Sequence, residues 1–76
     1  MNKTEKLTKI LMQRCLDREM FLDDSGEIED PLPVFVEYRP RRGWYLVFHE
    51  SRYFYDDGEF MGETDIEAAR WINRWF

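Results

Sequence analysis

Residues 34–49 read "VFVEYRPRRGWYLVFH", and the fold turns on how this stretch pairs with itself. Its two arms, VFVEYR and WYLVFH, are rich in β-branched and aromatic side chains, as strands are. A three-residue loop, Arg41-Arg42-Gly43, sets the glycine in the left-handed position of a type I turn plus bulge. That register places Tyr38 opposite Leu46 and Val36 opposite Phe48. One face then carries Val34, Val36, Tyr38, Trp44, Leu46 and Phe48. The other carries Phe35, Glu37, Arg39, Tyr45, Val47 and His49. A two- or four-residue loop would mix Glu37 and Arg39 with Trp44 and Leu46, against the hydrophobic pattern.

The flanks extend this hairpin. "RYFYD" (52–56) reads as a third strand after a tight turn at Glu50-Ser51, with Tyr53 and Tyr55 inward and Arg52, Phe54 and Asp56 outward. Asp57-Gly58 is a stronger hairpin signal, and a short fourth strand at 59–62 follows from it. "TDIE" (64–67) is a capping box that opens a helix. Ala68, Ala69, Trp71, Ile72, Trp75 and Phe76 then share one stripe, opposite Glu67, Arg70, Asn73 and Arg74. At the other end, residues 4 to about 21 carry Leu7, Ile10, Leu11, Cys15 and Leu22 on one side, with Met12, Leu16 and Met20 beside them. Residues 23–33 are an acidic linker containing Pro31 and Pro33.

The expected fold is α+β. It has an N-terminal helix, a three-stranded antiparallel meander with a short fourth strand allowed, and a C-terminal helix. Both helices cover the Val36/Leu46/Tyr55 face of the sheet. Residues 1–76 are read as a single α-β-β-β-α domain, because so short a chain cannot bury two cores.

Composition narrows the function. The chain has a net charge of −5, one cysteine and one histidine. No internal disulfide can form, and one His with one Cys falls short of a zinc site. A reduced, cytoplasmic setting is expected. No apolar run is long enough to span a membrane, and the charged start "MNKTEKLTKI" is no signal peptide. No cofactor or metal is expected.

"LDDSGEIED" (22–30) has the look of a calcium loop around Gly26. With Gly26 at position six, however, position one is Phe21 and position twelve is Leu32, so both end ligands are missing. The stretch reads instead as a solvated turn, or as an acidic dock of Asp23, Asp24, Glu27, Glu29 and Asp30 for a basic partner. "YRPRRGWY" offers the opposite charge. Arg41, Arg42 and Trp44 combine cations with a stacking surface, as single-strand binding needs. The α-β-β-β-α order also resembles that of double-stranded RNA-binding domains, which implies phosphate-holding bases at the start of the last helix. Here that place holds Glu63, Asp65 and Glu67, which repel phosphate.

Catalysis finds little support. His49 has no legible nucleophile with an orienting group, and there is no Gly-rich phosphate loop. The outer face of the sheet is the stronger candidate. Phe35, Tyr45, Val47 and Phe54 form an apolar centre there, bordered by Glu37, Arg39, Arg52 and Asp56. The expectation is a small non-enzymatic adaptor, regulator or inhibitor of phage-like character. It would bind a protein partner, or a second copy, through Phe35, Tyr45, Val47, Phe54, Arg39 and Arg52. The alternative is a nucleic-acid-binding module using the arginine hairpin at 38–45.

Overall fold

The computed structural model describes residues 2–48 and 58–76. Helix α1 spans Lys3–Asp17, strand β1 Val34–Arg39, strand β2 Gly43–Phe48, strand β3 Glu59–Gly62 and helix α2 Asp65–Trp75. The three strands form an antiparallel sheet in the order β1-β2-β3. The α-β-β-β-α order is therefore the one expected, but its third strand comes from 59–62, the segment read as a short fourth strand. The strand expected at 52–56, the turn at Glu50-Ser51, and His49 lie outside the described residues.

The hairpin register differs by two residues from the expected one. Tyr38 faces Trp44, Val36 faces Leu46 and Val34 faces Phe48. The loop is Pro40-Arg41-Arg42, closed by the Arg42 amide donating to the Arg39 carbonyl at 3.0 Å. Arg41 has φ 69°, so a proline second and a left-handed third residue make the turn that type II geometry requires. The expected register gives no role to Pro40, whose fixed φ suits that second position. A shift of two leaves every side chain on its expected face, because the strand period is two. Val34, Val36, Trp44 and Leu46 are buried. Tyr38 and Phe48 close the two ends of that face and are exposed.

Between Trp44 and Tyr45 the β2–β3 register slips, so Trp44 pairs with Gly62 while Tyr45 pairs with Phe60. The extra residue lets both Met61 and Gly62 be buried. Gly62 has φ 151°, and a Cβ there would collide with Cβ of Glu67 at the start of α2. Gly43 faces it: its own Cβ would lie 2.5 Å from the Gly62 carbonyl oxygen. The two glycines let β2, β3 and the first turn of α2 approach closely.

Helix α1 starts one residue earlier than read, with the Asn2 side chain accepting from the Glu5 amide at 2.8 Å. It stops at Asp17, four residues short of the expected end. Glu19 turns left-handed at φ 53°, its amide donates to the Leu16 carbonyl, and the Met20 amide donates to the Cys15 carbonyl. That is a Schellman stop with glutamate where glycine is usual. The apolar pattern runs on through Met20 because Met20 folds back onto the core. At α2, the Glu67 amide donates to Oγ1 of Thr64 at 3.1 Å, as the capping box implies. The Glu67 carboxylate reaches the amide of Glu63 rather than that of Thr64.

One core joins these elements. Leu7, Leu11 and Cys15 of α1 meet Val34, Val36, Trp44, Leu46 and Met61 of the sheet, and Ala68 and Ile72 of α2 with Phe76. Burial pushes the Cys15 thiol above its ordinary pKa, which suits a core residue rather than a nucleophile.

Candidate functional site

The sheet surface that carries Tyr45 lies away from the buried Trp44/Leu46 row, because neighbouring strand residues point to opposite faces. Tyr45 is its centre. The guanidinium of Arg39 sits 4.2 Å from the centre of the Tyr45 ring and 3.4 Å from the Glu37 carboxylate. Phe60 meets the same ring edge-on, with centroids 5.5 Å apart. Phe35, Tyr45 and Val47 are half-buried, whereas Phe60 is 47% exposed. The ring of Phe60 also lies beside Gly43, where a Cβ would stand 3.0 Å from its Cε1. The structure thus brings together Tyr45 and Arg39 of the expected surface and sets Phe35 and Val47 on the same face. Arg52 and Phe54 lie outside the described residues.

Phe60 was not among the expected surface residues. Its side follows from the bulge beside Trp44, and bulges leave little trace in a four-residue strand. The only signal was Gly62, whose positive φ ends β3 against α2.

At the hairpin tip Arg41 and Arg42 are exposed as expected, but Trp44 is not available beside them. It is only 5% exposed, because its place on β2 turns it into the core. Tyr38 packs against it with centroids 4.9 Å apart and is itself 51% exposed. The ring open to a ligand next to the arginines is therefore Tyr38. A shallow groove of about 260 Å³ joins Tyr38, Arg41, Arg42 and Gly43 to Glu63, which places a carboxylate where a phosphate would come. At the start of α2, Asp65 is engaged by Lys3 at 3.7 Å and Lys6 at 4.0 Å.

The acidic segment is a small ordered hairpin. Leu22 bridges Ile28, the Asp23 amide donates to the Glu27 carbonyl at 2.7 Å, and the Glu29 amide donates to the Phe21 carbonyl at 2.9 Å. One carboxylate oxygen of Asp23 accepts from the Ser25 hydroxyl and from the amides of Ser25 and Glu27. The Ser25 hydroxyl first, then these amides, hold the Asp23 carboxyl below its ordinary pKa. Its chemistry is spent on the turn. Asp24, Glu27, Glu29 and Asp30 point into solvent, and no described base lies within 4.0 Å of them. No group of His, Cys, Asp and Glu suited to a metal ion occurs among the described residues.

The end of α2 departs from the expected stripe. Ala68, Ile72 and Phe76 are buried and Trp71 is half-buried, but Trp75 is 63% exposed. It forms one wall of an open groove of about 490 Å³ whose other walls are Leu46, Phe48, Glu59, Trp71 and Phe76. Helical angle alone put Trp75 in the core. At the height of the last turn, Trp75 faces this groove instead of a packed layer.

No described helix is long and apolar enough to cross a membrane. Compared with protein families, curated proteins and solved structures, the chain matches none.

Proposed function

We propose that this protein is a non-enzymatic module that binds another protein through the sheet face centred on Tyr45. The observation that carries this reading is the cluster around Tyr45, whose ring centre lies 4.2 Å from the Arg39 guanidinium and 5.5 Å from the centre of the Phe60 ring. Tyr and Arg dominate the energetics of interfaces, because each combines a large buried area with directed polar contacts. Both helices lying over the Val36/Leu46 face would leave this surface for a partner. The Glu37–Arg39 pair on its border would orient that partner more than hold it. Adaptor, regulator and inhibitor are all roles that such a surface supports. The solvent-facing carboxylates of the 23–30 hairpin would add attraction for a basic partner.

Phe60→Asp tests the reading. Phe60 is half out in solvent, so the melt should shift by no more than about 1 kcal/mol. A protein retained by the wild type in pull-downs from host cells should be lost by the variant. Loss of nothing specific would defeat the proposal. Fluorescence anisotropy with labelled RNA and DNA covers the other reading. Tight binding that falls steeply with salt and disappears in Arg41→Glu with Arg42→Glu would assign the function to the hairpin tip.

A further inference from the structure

We infer that the groove at the end of α2 receives a second copy of this chain. The groove is distinct from the Tyr45 face and rests on its own observations. Apart from Glu59 its walls are apolar, and the most exposed of these apolar walls is the indole of Trp75. An indole left in water beside an open apolar groove is the kind of knob that a matching hole removes from water. Here the knob and the hole belong to the same surface. Two copies related by a two-fold axis can each offer Trp75 to the other, since in such an interface one patch meets itself.

The rim charges favour this occupant over a foreign one. Glu59 lines the groove, and the guanidinium of Arg74 lies 5.2 Å from the centre of the Trp75 ring. Among the described residues neither has an opposite charge within 4.0 Å. Among the described residues the groove thus has one acid in its wall and one base beside Trp75, neither with an ion-pair partner. A two-fold pairing that brings Glu59 of each copy to Arg74 of the other would satisfy both charges twice. A purely basic or purely acidic partner would satisfy one and repel the other.

Sedimentation of the full chain from micromolar to millimolar concentration is the experiment. Self-association is expected in the wild type and should be lost in Trp75→Ala. Glu59→Arg and Arg74→Glu, each alone, should weaken it by about tenfold, because each sets like charges across the interface. The two together restore opposite charges and should recover most of the wild-type association. All these residues are exposed, so circular-dichroism melts should confirm that every variant folds. A wild type that stays monomeric throughout overturns the inference, as does a double exchange that recovers nothing. Phe60→Asp is run alongside. If it abolishes self-association while the charge exchanges do not, the second copy sits on the Tyr45 face and the groove assignment is wrong.

Discussion

The β1–β2 hairpin and the last turn of α2 were both read from hydrophobic period, and they came out differently. In the hairpin the register was off by two residues, yet Val34, Val36, Trp44 and Leu46 all point into the core. In the helix the angle was right: Trp75 is seven residues from Ala68, about 20° away around the axis. Yet Ala68 is fully buried and Trp75 is 63% exposed. A period reports the direction in which a side chain points. It does not report whether another element stands opposite at that height. A strand inside a sheet has a neighbour along most of its length, so direction suffices. A helix end can outrun the layer it packs on.

The sharpest way to break this comparison is at the hairpin. Leu46 is 1% exposed at the middle of β2 and lies in the core that both helices share. Leu46→Ala should cost about 2–5 kcal/mol through lost burial and the cavity left behind. A chain of this size has roughly 3–5 kcal/mol in hand, so the variant should be largely unfolded at room temperature. Far-ultraviolet circular dichroism with urea titration reads this directly. A melt within about 1 kcal/mol of the wild type would mean that the inward face of the hairpin is not the core.

A smaller effect is expected where the sheet hands over to α2. Gly62→Ala places a methyl group against Cβ of Glu67 and asks alanine to hold φ 151°. Both β3 and the first turn of α2 would have to shift. Overpacking of this kind costs about 1–3 kcal/mol. Urea titration should show a lowered midpoint with an unchanged slope, since the core itself is untouched. An unchanged midpoint would show that the β3–α2 junction yields freely. The bulge that aims Phe60 outward would then be set elsewhere.

What could be read from the residues follows the same division. The Thr64 cap on the Glu67 amide, the alternation along β1 and β2, and the buried Cys15 are local or periodic signals, and each is present in the fold. The stop of α1 was not legible, because Glu19 takes the left-handed position that a glycine would have announced. The hairpin at 21–29 was hidden among acids. Its order comes from Asp23 folding onto Ser25 and Glu27, whereas the residues alone read only as a solvated turn in a linker. Phe60 and Trp75 were misplaced for a shared reason. The exposure of each depends on what lies across a gap in three dimensions: a bulge for Phe60 and an open groove for Trp75.

The smallest effect on stability is expected at Trp75 itself, although it is the largest side chain involved. Trp75→Ala removes an indole that is already mostly in water, together with its stacking under Arg74, worth about 0.5–1 kcal/mol at an exposed site. Alanine returns part of this through its higher helix propensity, about 0.5 kcal/mol. The two terms nearly cancel, so at concentrations where the chain is monomeric the melt should move by about 0.5 kcal/mol or less. Phe76 is the control. It is 7% exposed one position later, and Phe76→Ala should cost about 3 kcal/mol. If both changes cost the same, the groove is closed in solution and Trp75 is core after all. If Trp75→Ala is silent and Phe76→Ala is not, two neighbours on one helical stripe differ in burial because only one of them has a layer to meet.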